Sequence, residues 1–195
     1  MIILKTWEMT FDKYDMKMPI NNEFILRGEK ILLRNFTKSD IDDRYIGWLN
    51  DSTVVRFSNQ RFLTHSYESS LRYFSSFENT DNLFLSICHL PDEEPIGTMT
   101  AYISRFHETV DVGILLGEKS VWGSGLGLDA WNTLTNWLLE CDGIRKITAG
   151  TLACNYAMIK ILERSGMHHE ATRKKQEIVN TKAVDILYYA KFSAT

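Results

Sequence analysis

Short apolar or alternating runs, bounded by turn residues, predict strands along the chain. They lie at "KILLRNF" (Lys30 to Phe36), "NLFLSICHL", "PIGTMTAYIS", "TVDVGILLG", "RKITAGTL", "KQEIVN" and "AVDILYYAKF". "PDEE" separates the second and third as a hairpin, and Asn180-Thr181-Lys182 turns the last pair. Three-and-four spacing predicts helices elsewhere. Thr37 and Asp40 form a capping pair that opens a helix through "DIDDRYIGWLN", and "SYESSLRYFSSF" continues as a second. Leu126, Ala130, Trp131, Leu134, Trp137 and Leu138 make one buried stripe of a third helix, ending near Asp142-Gly143. Asn155 through Ser165 is the fourth, stopped by Gly166. An internal glycine, Gly113, marks a bulge or a close backbone approach. The order is an antiparallel front half, then strand, loop, helix, strand, helix, strand, strand. It predicts an α/β (α+β) fold with a mixed, mostly antiparallel sheet flanked by helices.

A chain of 195 residues is the size of one domain, assigned here to residues 24–195. Residues 1–23 hold four of the seven methionines and stand apart as an extension: an added strand, a mobile arm, or an arm that makes a homodimer. With 44% hydrophobic and 24% charged residues and a net charge of −3, the chain carries no broad basic footprint for nucleic acid. No apolar run reaches the roughly 18 residues of a membrane span. Cys88, Cys141 and Cys154 are odd in number and lack metal-type spacing, which points to free thiols in the cytoplasm. His168-His169-Glu170 suggests a metal cluster only superficially, because neighbours on a strand face opposite ways; no metal is expected.

"VWGSGLGLDAW" (Val121 to Trp131) packs three glycines into five residues just before a helix. Bare amides at a helix start suit an anion, so three ligands compete: a nucleoside triphosphate, a dinucleotide and the pyrophosphate of a coenzyme A. A Walker loop needs Gly-Lys-Ser/Thr, and no lysine follows these glycines. Gly125, Gly127 and Ala130 fit dinucleotide spacing, but the next strand ends in "TLACN" with no carboxylate for a ribose. Coenzyme A remains.

"GILLGEKSVWGSGLG" followed by "GIRKITAGTLACNYAMIKILERSGM" resembles the GNAT superfamily of acetyl-CoA-dependent N-acetyltransferases, over about residues 30 to 192. Within it the chain is similar to the branch of ribosomal-protein N-terminal and amino-sugar acetyltransferases, with Trp122 replacing the usual Arg/Gln. The resemblance implies a sheet with splayed central strands and acetyl-CoA as acyl donor. It assigns the pyrophosphate to the amides of Gly123, Ser124, Gly125, Leu126 and Gly127, and the pantetheine and acetyl carbonyl to the strand at Ile114, Leu115 and Leu116. Asn155 matches a pantetheine contact, or simply caps its helix. Lys160 and Arg164 share a helix face that would meet the coenzyme's 3′-phosphate, or solvent.

Acetyl transfer to an amine needs a base and a polarised carbonyl. Asp111 stands where the branch usually has glutamate, and alternation puts it on one face with Gly113 and Leu115; the other reading is a solvated carboxylate. Glu108 and His107 are reserves. The family's acid positions hold Leu162 and Met158, which leaves Tyr156 as the nearest hydroxyl, or water. In relatives the front helices wall the acceptor site, which here means Trp48, Arg56, Phe57, Gln60 and Arg61. Two arginines beside aromatic rings suit an anionic acceptor, so a small-molecule amine, specifically a nucleotide-linked amino-sugar, is expected. A protein N-terminus is the runner-up, and a non-catalytic acyl-CoA-binding module is the reading from another class.

Overall fold

The computed structural model describes residues 24–90 and 92–193. The three readings of residues 1–23 lie outside the described residues. Strands β1 (Ile25–Arg27), β2 (Ile31–Asn35), β3 (Leu83–His89), β4 (Glu94–Ser104), β5 (Thr109–Leu116), β6 (Lys146–Leu152), β7 (His168–Val179) and β8 (Lys182–Phe192) form one sheet in the order β1-β2-β3-β4-β5-β6-β8-β7. Every neighbouring pair is antiparallel except β5 and β6, which run parallel.

Helices cover both faces. On the back lie α3 (Leu126–Glu140) and α4 (Tyr156–Arg164). The α3 stripe Leu126, Ala130, Trp131, Leu134 and Leu138 is buried against Met99, Val110, Val112, Ile147 and Tyr189 of the strands. On the front, α1 (Asp43–Asn50) and α2 (Tyr67–Ser75) cover only the β3–β5 end, through Tyr45, Trp48, Tyr73, Phe74 and Phe77 on Phe84 and Leu115. Among the described residues the β6–β8 end of that face carries no α-helix. Among the described residues no helix is long and apolar enough to cross a membrane.

Three local readings are corrected. The Thr37–Asp40 capping box closes a single 3-10 turn, Lys38–Asp40, and α1 starts at Asp43 under a second cap, Asp42, which accepts from the Tyr45 amide at 2.8 Å. Ile41 (ψ 70°) breaks the helix between them. Gly113 keeps the β4–β5 register, so it is no bulge. A Cβ there would lie 2.9 Å from Thr100 Oγ1, which leaves close approach as its reason. β7 begins at His168, seven residues before the expected "KQEIVN", because an exposed edge strand shows no apolar alternation to read. The hairpin ends as expected, with Asn180 (φ 46°) and Thr181 (φ 66°) both left-handed, the geometry of a tight hairpin turn.

A half-buried ion pair fixes the front end. Asp40, 9% exposed, accepts from both terminal nitrogens of Arg34 (2.6 and 2.7 Å), from the Thr37 amide (2.7 Å) and from Ser86 Oγ (3.2 Å). Burial opposes its ionisation, but Arg34 and Thr37 outweigh that and hold its pKa below the usual carboxylate range. A depressed folded pKa gives stability that is complete above the unfolded value, roughly 4, and lost as pH falls through the folded value. Asp40→Asn is therefore expected to cost about 2–3 kcal/mol at pH 7 and less at pH 3, read by urea unfolding at both. An equal loss at the two pH values contradicts the assignment.

Candidate functional site

β5 and β6 pair over only three rungs, Thr109–Lys146, Val110–Ile147 and Asp111–Thr148. Beyond them β5 stays on β4 as far as Leu116, and β6 stays on β8 as far as Leu152, so a V opens within the sheet. The Gly117 amide bonds to the Ile96 carbonyl at 2.9 Å. Antiparallel alternation then turns the amides of Leu115 and Gly113 to β4, and those of Ile114 and Leu116 into the V. Trp122, at the variant position, donates its indole N–H to the Leu116 carbonyl (3.0 Å) at the V's open end.

The glycine loop meets the start of α3 there. Gly123 (φ 78°) and Gly125 (φ 93°) are left-handed, with open space where a Cβ would stand. Gly125 occupies the cap position without a side chain, and the first-turn amides of Leu126 and Gly127 have no intrahelical acceptor by helix geometry. The helix dipole adds partial positive charge. Gly127 serves packing, since its Cβ would lie 2.9 Å from Leu116 Cδ1. The Ser124 amide differs from its expected role: it bonds to the Val121 carbonyl at 3.3 Å, as does its hydroxyl at 2.5 Å. Left-handed glycines, open space and first-turn amides together fit a pyrophosphate. Lys119–Asp51 (2.5 Å) ties the loop to α1.

Asn155 caps α4, accepting from the Met158 amide at 3.3 Å. Tyr156 follows, 70% exposed and without a hydrogen-bond partner among the described residues. Lys160 and Arg164 are exposed on the same helix. His107 and Glu108 lie in the β4–β5 turn, on the closed side of the V, where their carbonyls accept from Arg145 and Lys146.

Asp111 sits on the last rung before the strands part. Its carboxylate accepts from Thr148 Oγ1 at 2.7 Å. The residue reaches solvent, yet burial of the carboxyl pushes its pKa up, against the lowering pull of the Thr148 bond. Directly across β4 stands Tyr102, whose hydroxyl bonds to that of Tyr73 at 2.9 Å. Burial, then the Tyr102 bond, lifts the Tyr73 phenol above its ordinary range. The sequence reading missed Tyr73, Tyr102 and Thr148. Only the strand register and α2 bring them to Asp111.

The expected acceptor wall divides. Trp48 is 8% exposed and packs on Gly117, where any Cβ would strike its ring, so it supports the wall from beneath. Arg56 is exposed over the Phe57 ring (4.4 Å). Arg61 is already engaged: it reaches β7, donating to Glu177 Oε2 and to the Ile178 carbonyl, each at 3.2 Å. Among the described residues no three His, Cys, Asp or Glu side chains gather as metal ligands, and His169 bonds to Thr172 Oγ1 at 2.8 Å.

A family model described as an acetyltransferase (GNAT) domain matches residues 30–168. An uncharacterized protein of Methanocaldococcus jannaschii is 24% identical over 158 residues, 80% of this chain and 31% of the relative. The chain thus spans about a third of the length of that curated relative. An acetyltransferase from Salmonella typhimurium that modifies the N-terminal serine of ribosomal protein L7/L12 is 17% identical, with a TM-score of 0.74, covering 87% of this chain and 99% of that one. Spermidine N-acetyltransferase from Vibrio cholerae, solved with CoA and spermine, is 12% identical, with a TM-score of 0.76, covering 84% and 96%. These structures share the fold.

Thr148→Val removes the bond that stabilises the Asp111 carboxylate while burial stays. The Asp111 pKa is expected to rise further, followed by NMR titration of the carboxyl carbon. A fall would show that burial does not control this group.

Proposed function

The chain belongs to the GNAT acetyltransferase family, and from that premise we propose that it acetylates the primary amine of an anionic small molecule by direct transfer at the β5–β6 V. The observation that carries this reading is Asp111 at the vertex, beside amides that point into the opening. Acetyl-CoA supplies the thioester. The glycine loop holds its pyrophosphate, and Ile114 and Leu116 offer amides to the pantetheine and the acetyl carbonyl. Asp111 takes the proton from the ammonium, through a water because its side chain is short. A carboxyl with raised pKa is the stronger base for this step. Nitrogen then bonds to the carbonyl carbon as the C–S bond breaks, and the thiolate takes a proton from water, since Leu162 is fully buried and Tyr156 points to no partner. Burial pushes the Cys88 and Cys141 thiols up, away from the thiolate a covalent acetyl-enzyme needs, which supports direct transfer. Three free cysteines support a cytoplasmic location.

The leading acceptor is a nucleotide-linked amino-sugar. Arg56 over Phe57 supports it, an exposed guanidinium stacked on a ring in the front segment. The Salmonella neighbour favours a protein N-terminus as the second reading.

Thiol release from acetyl-CoA, measured against amino-sugars, polyamines and peptide N-termini, tests the reaction. Asp111→Asn is expected to lower turnover by about 10²-fold or more, most at low pH, with coenzyme affinity little changed. Undiminished turnover moves the base elsewhere. Acetyl-CoA at 100 times its Kd should add about 2.7 kcal/mol of stability and raise Tm. Gly125→Val should abolish most of that rise, because a β-branched residue resists a φ of 93° and blocks the phosphates. Tight acetyl-CoA binding without turnover of any amine would instead favour a binding module.

A further inference from the structure

Some cations around the β7–β8 hairpin are already neutralised: Lys174 pairs with Asp185 (2.9 Å), Lys146 of β6 with Glu170, and Arg61 of the front segment with Glu177. Arg173 forms no such pair. It is exposed, has no carboxylate or hydrogen-bond partner among the described residues, and holds its guanidinium 5.0 Å above the Tyr188 ring.

That ring has a prepared seat. Tyr188 lies opposite Gly150 on β6, and a Cβ on Gly150 would come within 3.2 Å of Tyr188 Cε1. Gly150 is two residues beyond Thr148, so both occupy one face of β6, about 7 Å apart. Thr148 holds Asp111. The Arg173–Tyr188 stack therefore flanks the base on the open front face, just where the strands part. The Arg61–Glu177 pair ties this hairpin to the front segment that also bears Arg56, itself stacked on Phe57.

We propose that Arg173, seated on Tyr188, is the anion subsite that selects the acceptor: it pairs with a phosphate lying roughly 6–10 Å from the amine held at Asp111. The guanidinium fork donates two hydrogen bonds to one phosphate, and the ring beneath orients it and shields one of its faces from water. This rests on the amine-acetylating reading above.

The test compares glucosamine 6-phosphate with glucosamine as acceptors, in the unmutated protein and in Arg173→Gln. Calorimetry of glucosamine 6-phosphate with the CoA-loaded protein gives a readout independent of turnover. The phosphorylated sugar is expected to have the lower KM. Arg173→Gln should raise that KM roughly 10- to 100-fold, leave its kcat and the glucosamine KM within about 3-fold, and weaken calorimetric binding to match. Among the described residues Arg173 has no carboxylate or hydrogen-bond partner and only an exposed contact with the Tyr188 ring, so Tm should change little; Tyr188→Phe keeps the ring and should behave as the unmutated protein. Turnover that is equal on both sugars, or a phosphate preference that survives Arg173→Gln, overturns the subsite and leaves the transferase reading standing. Arg173-dependent binding without turnover of any amine keeps the subsite and overturns the transferase reading. Absence of both overturns both, and a preference for acidic peptides over the sugar phosphate overturns the small-molecule acceptor.

Discussion

The parting of two parallel strands governs this molecule. A sheet interior normally leaves no backbone group unbonded, yet β5 and β6 separate after the Asp111–Thr148 rung. Separation is tolerable because each strand keeps its other neighbour. β4 holds β5 through eight register pairs and β8 holds β6 through seven, so the V interrupts one ladder of the sheet and no other. Its amides then face a gap instead of a neighbouring strand. Those of Ile114 and Leu116 are the donors the opening creates, and the Trp122 indole satisfies one carbonyl at its rim.

Chemistry gathers at the vertex for the same reason. Asp111 keeps a strand-bound position fixed by Tyr102 on one side and Thr148 on the other, while the gap beside it stays accessible. Burial raises its pKa and Thr148 lowers it, so the group is tuned by two opposed and separable effects. The Tyr73–Tyr102 hydroxyl pair brings α2 to the same point, which couples the front helices to the sheet where the base stands.

Much of this was legible where a residue's own conformation demanded it. Gly123 and Gly125 adopt φ values other residues resist, and a period of two placed Asp111 on its face. The α3 stripe was equally plain. What escaped depends on partners distant in sequence. Arg61 meets Glu177 across 116 residues, so a guanidinium that looked free for substrate is engaged within the fold. Trp48 has the chemistry of a wall residue, but Gly117 admits it into the core. Thr148, Tyr102 and Arg173 gain meaning only from register and stacking, which no local pattern encodes. The 3-10 turn at Lys38–Asp40 escaped because two overlapping caps, Thr37 and Asp42, compete within six residues.

The sheet's two margins are poor templates for another strand. β1 spans only three residues. β7 is long, but its register slips between His169 and Ala171 and again between Arg173 and Glu177, with Lys175 left-handed inside the second slip. Charged side chains crowd the same stretch. Such irregular, charged rims resist edge-to-edge stacking and the amyloid-like growth that follows from it. Hydrogen-bonding capacity that most sheets leave at their borders is thus offered in the middle as well, where a ligand of the right shape can use it.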